Sequence, residues 1–319
     1  MSDYPGYLNA YKTGALKKIA DRLFLSLESC QICPRRCRVN RLDKETGFCK
    51  TALLPKVFSY MAHYGEEPSI SGTRGSGTIF FSYCNLGCVY CQNYEFSQLG
   101  QGRDYTFAEL AQVMLELQNQ GCHNINLVTP THVLPQILKS LELAVAGGLK
   151  IPLVYNTSGY ELPEVIRSLA GIVDIYLADS RYGGNLAAKQ LSKAVDYVKY
   201  NQASLKEMHR QVAVAEFNGA GLIRKGLIIR HLVLPNRICQ TGKVMKFIAG
   251  ELSEDTCISL MSQYLPYHLA SGHPKINRRL KNEEYLEAKE ILERYRLFNG
   301  WTQESYGAER FAGVNIKPK

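Results

Sequence analysis

An α/β fold, in which a largely parallel sheet curls part of the way into a barrel of six strand–helix units, is predicted by three features of this 319-residue sequence. Short apolar runs alternate with stretches of helical periodicity from Thr78 to Arg296. Each parallel return needs a crossover, so this alternation implies parallel pairing with helices outside the sheet. The count of units stops at six, two short of a closed eight-unit barrel. Composition agrees: 45% hydrophobic and 21% charged residues suit a globular chain, and the length suits one large domain with appendages.

Taken in order, Leu16, Ile19, Ala20, Leu23 and Leu27 form one stripe of a helix over Thr13–Glu28. Four cysteines follow, Cys30, Cys33, Cys37 and Cys49. Residues 1–54 are thus an N-terminal helix and a cysteine-rich segment, 55–300 the barrel and 301–319 a tail. Val57, Phe58, Tyr60 and Met61 precede His63-Tyr64-Gly65-Glu66-Glu67-Pro68, whose acids suit either a ligand contact or an exposed turn. Thr78–Phe81 is the first barrel strand. Thr106 and Glu109 form a capping box opening a helix that ends at Gly121. Strands are then expected at Ile125–Val128, Pro152–Asn156, Ile172–Ala178, Leu227–Leu234 and Ile258–Met261. Helices are expected at Val133–Ala146, around Val165–Leu169, in a polar region up to Val212, and at Thr241–Leu252 and Asn282–Arg296. The segment Gly183–Gly226 and the tail, with Tyr306, Phe311 and Val314, are parts the barrel does not need.

Seven of the ten cysteines stand in two tight groups, which favours metal binding over disulfides in a reducing compartment. Cys84, Cys88 and Cys91 follow the first strand in C-x-x-x-C-x-x-C spacing. Three thiolates on one loop can hold three corners of a cubic iron–sulfur cluster and leave the fourth iron open to a chelating molecule. A zinc site is the other reading of the spacing. The N-terminal four, spaced C-x-x-C-x-x-x-C followed by a fourth beyond Gly47, can close a shell with no vacancy, as structural zinc or an additional cluster that relays electrons. Such a polar segment has too little apolar content to fold without a staple. Cys122, Cys239 and Cys257 stand alone and read as small buried hydrophobes.

The cysteine loop resembles the signature of the radical S-adenosylmethionine (radical SAM) enzymes. With Gly65-Glu66-Glu67-Pro68, Gly75-Ser76-Gly77-Thr78, Cys91-Gln92-Asn93, Asn124 to His132 and Arg230 to Pro235, the chain is similar to the branch that includes pyruvate formate-lyase activating enzymes. The resemblance spans about Cys30 to Tyr285 and implies a partial barrel, a [4Fe-4S] cluster on Cys84, Cys88 and Cys91, and S-adenosylmethionine chelated to the open iron. Those three cysteines are then the catalytic residues. It also implies an adenine contact at Tyr90, and a methionine contact at Thr129-Pro130-Thr131, where the family commonly has Gly-Gly-Glu. Ribose contacts are implied at Asn156 and Ser158, and a further contact at Asp179, in an Asp179-Ser180-Arg181 that replaces the family's Asp-x-Lys. His268 is implied by a Leu-Pro-x-His match, with Met261-Ser262-Gln263-Tyr264 as the alternative occupant of that place. Arg230 and His231 must face opposite sides of their strand, and an inward Arg230 would meet the cofactor carboxylate. His132 could be an acid or base, or cap the next helix.

The function so implied is reductive cleavage of S-adenosylmethionine to a 5′-deoxyadenosyl radical, with a glycyl radical enzyme as the substrate partner. Modification of a peptide or small molecule is a second enzymatic reading. A non-catalytic, zinc-stapled nucleic-acid-binding protein is the reading from another class. The formal charge of +9 is scattered and no nucleic-acid motif accompanies it, so a low-potential electron donor such as flavodoxin or ferredoxin is the expected acidic partner. No apolar run approaches the ~20 residues that span a bilayer, and the N-terminus lacks a secretory pattern, which predicts a cytoplasmic protein.

Overall fold

The structure, a computed structural model, describes residues 4–303 and the short strand 314–315. Its strands are β1 (Lys56–His63), β2 (Ser76–Phe81), β3 (Arg103–Asp104), β4 (Ile125–Val128), β5 (Leu153–Thr157), β6 (Ile175–Asp179), β7 (Glu216–Phe217), β8 (Ile223–Leu232), β9 (Cys257–Met261), β10 (Gly300–Thr302) and β11 (Val314–Asn315). The helices are α1 (Gly6–Lys12), α2 (Ala15–Leu25), α3 (Pro68–Ser71), α4 (Tyr94–Ser97), α5 (Phe107–Asn119), α6 (Leu134–Ala146), α7 (Pro163–Arg167), α8 (Asn185–Ser192), α9 (Tyr197–Val212), α10 (Thr241–Glu251) and α11 (Asn282–Arg294).

Neighbours in the sheet run β11-β10-β9-β8-β6-β5-β4-β2-β1-β3. From β2 to β10 every pair is parallel, while β1, β3 and β11 extend the two edges antiparallel. The sheet is open, and the six strands that the sequence predicts are its parallel core. A seventh, β10, adds to β9 and runs across the boundary expected at residue 300. Trp301 is therefore part of the sheet and not of a detached tail. Tyr306 and Phe311 lie outside the described residues, and Val314 is described only as part of β11.

Two apolar clusters explain the curl. The larger lies between sheet and helices, where α5 contributes Leu110, Val113, Met114 and Leu117 and α6 contributes Ile137, Leu138 and Leu141. Thr106 caps α5, its hydroxyl accepting from the Glu109 N–H while the Glu109 carboxylate accepts from the Thr106 N–H at 2.8 Å. The smaller cluster fills the concave side of the sheet, with Val154, Ile175, Leu177, Ile228, Cys257 and Trp301 from the strands and Ile70 from outside them. Ile70 belongs to α3, so the β1–β2 connection turns back into the barrel and plugs its lower end. Residues on the same strand faces nearer the carboxyl ends, Asn156, Asp179 and Arg230, are polar. The interior is thus layered, apolar below and charged above. Among the described residues no helix is long and apolar enough to cross a membrane.

At the carboxyl end of β5, Gly159 adopts φ +72°, and a Cβ there would lie 2.2 Å from both the Asn201 side chain and the Asp179 carbonyl oxygen. Asn201 donates to the carbonyls of Gly159 and Asp179, holding the ends of β5 and β6 together. Gly159→Ala is expected to lose about 2–4 kcal/mol of stability, read from urea unfolding; a loss within error of zero would show that the turn relaxes freely.

Candidate active site at the carboxyl ends of the parallel strands

The loop after β2 is held from several sides. Arg35 donates to the Asn85 carbonyl at 2.9 Å, and the buried Asn85 amide donates to the Tyr160 carbonyl at 2.7 Å. The N–H groups of Gly87 and Val89 donate to the carbonyls of Ser192 and Leu191 at the end of α8. The segment Gly183–Gly226, expected to be dispensable to the barrel, therefore anchors the loop. The thiols are free. Cys88 pairs with the Ser192 hydroxyl at 3.0 Å, Cys91 with Ser97 at 3.2 Å, and Cys84 accepts from the Leu86 N–H at 3.3 Å. Burial, then the neighbouring Cys88, push the Cys84 thiol up to about 12. Burial raises Cys88 too, against the opposing pull of Arg181, whose guanidinium lies 3.8 Å from its sulfur.

Beside this loop opens a cleft of about 340 Å³, lined among others by Tyr90, Cys91, Asn156, Asp179, Arg181 and Arg230. Its charged layer follows from strand register. Asp179 on β6 is the partner of Arg230 on β8, and both side chains face inward. The Arg230 Nε donates to Asp179 at 2.8 Å and its Nη2 to the Asn156 side chain at 2.6 Å, while Arg181 donates to the other Asp179 oxygen at 2.5 Å. Burial alone would raise the Asp179 carboxyl, but Arg230 and Arg181 on either side bring it below the ordinary carboxylate range. His231 faces the helix layer, fully buried, donating to the Ser180 carbonyl and meeting the Thr241 hydroxyl at 3.0 Å. Glu66 and Glu67 are buried and line the cleft, so they are not an exposed turn.

Of the cofactor contacts expected from sequence, Tyr90, Asn156, Asp179 and Arg230 come together on this lining, joined by Cys91. Thr129, Pro130, Thr131 and Ser158 do not line it; Thr131 is turned away to donate to Glu161. His268 is also off the lining, stacked on Tyr94 with ring centroids 4.7 Å apart. The alternative to His268, Met261-Ser262-Gln263-Tyr264, does supply Met261, Gln263 and Tyr264 to the lining; sequence reasoning missed Gln303 there, and nearby Asn126, whose place as the one polar residue of β4 was a signal. His132, fully buried, donates through Nε2 to the Ser82 carbonyl at 2.8 Å, and burial holds its pKa down to about 4, which keeps it neutral.

Cys30, Cys33, Cys37 and Cys49 line one enclosed space of about 10 Å³ together with Arg41 and His132. Among the described residues no three metal-binding side chains converge as the shell of a single ion. Thiolates that each bind a different iron stand further apart than thiolates sharing one ion, so this spacing leaves the cluster reading of the loop intact.

Residues 78–179, from β2 to the end of β6, match the Radical SAM superfamily. The archaeon Methanocaldococcus jannaschii has a relative, described as "Uncharacterized protein MJ0674", that is 34% identical over 293 residues, covering 88% of this chain and 78% of that protein. The chain belongs to the radical SAM superfamily. A solved structure, "Crystal structure of HydG: A maturase of the [FeFe]-hydrogenase", aligns with TM-score 0.46 and 13% identity over 94% of this chain, which spans 66% of that one, just under two thirds. The fold assignment rests on the strand order and not on that likeness.

Burial, opposed by Arg230, pushes the Glu66 carboxyl up to about 7. The unfolded chain releases this proton near 4.5, so between the two values the folded state binds more protons and stability falls as pH rises. Glu66→Gln is expected to flatten this slope and to raise stability at pH 8 by on the order of 3 kcal/mol. Urea melts across that pH range provide the check, and an unchanged slope would assign the titration elsewhere.

Proposed function

We propose that Cys84, Cys88 and Cys91 hold a [4Fe-4S] cluster at the open end of the barrel and that the adjoining cleft receives S-adenosylmethionine with a small polar substrate. The observation that carries this reading is the convergence, at the carboxyl ends of the parallel strands, of three free thiols and a polar cleft that one of them lines. Ligands of parallel α/β folds bind at that end. When bound, the cluster and cofactor supply one-electron cleavage of a sulfonium and hydrogen abstraction from the substrate. The chain's own part is to bind, orient and shield. Tyr90, locked by a 2.6 Å hydrogen bond to Tyr182, offers an aromatic face for an adenine. Asn156 and Arg230 offer donors for hydroxyl and carboxylate groups.

A glycyl radical enzyme as substrate is supported by the sequence resemblance. The cleft favours a small polar molecule instead, because a glycine main chain offers no charge to answer the buried carboxyls of Glu66 and Glu67. The net charge of +9 suits an acidic low-potential donor such as flavodoxin or ferredoxin, and we expect the reaction in the cytoplasm with it. Each of Cys84→Ala, Cys88→Ala and Cys91→Ala is expected to lose loop-bound iron and to abolish 5′-deoxyadenosine formation under dithionite. Wild-type turnover in any one of them would overturn the assignment.

To the four N-terminal cysteines we assign a closed metal–thiolate centre, on the evidence of Arg41. This arginine is 1% exposed, and its guanidinium meets the Cys30 sulfur at 3.7 Å and the Ala52 carbonyl but no carboxylate among the described residues. A buried guanidinium without a carboxylate needs another anion. Four thiolates on a doubly charged metal centre, zinc or an iron–sulfur core, carry a net charge of about −2 and supply it. Arg41→Met is expected to speed loss of this metal to a chelator about 10-fold or more, while electron paramagnetic resonance of the reduced protein shows at most one signal that shifts with S-adenosylmethionine. Two SAM-sensitive signals would contradict a closed shell.

A further inference from the structure

The charged layer of the cleft does not balance within the protein. Arg230 is shared by three carboxyls. It is hydrogen-bonded to Asp179, stands 3.6 Å from Glu66, and is close enough to Glu67 to feel its charge. Arg181 spends its own ion pair on Asp179 as well. His63 lies 3.7 Å from Glu66, yet burial lowers its pKa and favours the neutral ring. Two guanidiniums thus face three carboxyls, and the deficit falls at the floor. Glu67 is 6% exposed and lines the cleft, and its Oε2 has no hydrogen-bond partner. Asn126 shares a strand face with Val128 of the lining and is fully buried; its amide reaches toward the Glu66 carboxyl, and no other group answers it.

A buried carboxyl oxygen without a partner, beside a buried amide only partly answered, costs stability unless a ligand completes the group. Oxygen acceptors outnumber donors here, so the missing group is a cation that carries hydrogen-bond donors. Resting on the proposed radical reaction, we infer that Glu66, Glu67 and Asn126 form a subsite for a protonated primary amine of the substrate. The ammonium is taken by Glu67 Oε2 and the Asn126 amide oxygen, with the Glu66 carboxyl beside them. The carbon that loses its hydrogen then lies on the side of the amine that faces the cysteine loop.

Isothermal titration of the anaerobically reconstituted protein, with S-adenosylmethionine at saturation, tests the subsite with three probes of one length: n-butylamine, 1-butanol and butyrate. The amine is expected to bind at least tenfold more tightly than either of the others, and Glu67→Gln to lose at least tenfold for the amine and nothing for the alcohol. Glu67→Gln should also melt at the wild-type temperature or above, because it replaces a buried carboxyl whose Oε2 has no hydrogen-bond partner. Tightest binding of butyrate, an amine preference that survives Glu67→Gln, or a clear fall in melting temperature would each overturn the inference. Displacement of the amine by S-adenosylmethionine would overturn it too, by giving the subsite to the cofactor's own ammonium. The readout is heat and not turnover, so the measurement stands even if the radical reaction is disproved.

Discussion

The register of two parallel strands fixes the chemistry available to this protein. Asp179 and Arg230 are partners across β6 and β8, so an acid and a base are carried into the barrel at one level, where water is scarce. Neither can be buried alone, since an unpaired charge in such a place costs several kcal/mol. Their pairing draws in Asn156 from β5 and Arg181 from beyond β6. A one-residue slip would turn Arg230 outward and bring His231 in, exchanging the charged layer for a ring that now packs under the helices. The cleft therefore exists because the sheet has this register.

The cysteine loop depends on parts of the chain far from it. Arg35 reaches from the N-terminal cysteine segment to the Asn85 carbonyl, one residue from Cys84, and His132 joins the space between the four N-terminal thiols to the Ser82 carbonyl. The end of α8 holds the other side of the loop. The two cysteine groups are thus mechanically linked, which gives the N-terminal segment a positioning role. Its own apolar cluster is small, built around Leu27, Cys30 and Ile32, so the metal centre proposed there would supply part of its folding energy.

Periodicity made the six parallel strands and most helices legible, since each buries an apolar face in a regular pattern. The seventh strand was not, because Gly300-Trp301-Thr302 is too short to show a pattern and owes its conformation to pairing with β9. The loop cysteines stand out by spacing, which by itself leaves cluster and zinc both open, and the resemblance of the surrounding residues favours the cluster. The cleft lining could not be read in this way. Glu66 and Glu67 precede a proline and read equally as an exposed turn; only the turn of α3 into the barrel buries them. His268 shows the same dependence in reverse, a sequence match whose loop carries the ring onto Tyr94 and off the lining.

The account stands or falls on whether the open iron of a cluster on Cys84, Cys88 and Cys91 faces the cleft. Electron–nuclear double resonance of the reduced protein, with S-adenosylmethionine labelled with nitrogen-15 in its amino group, reads that coordination directly. A nitrogen-15 coupling strong enough for direct ligation is predicted. A reduced cluster signal with no coupling to the label would contradict it.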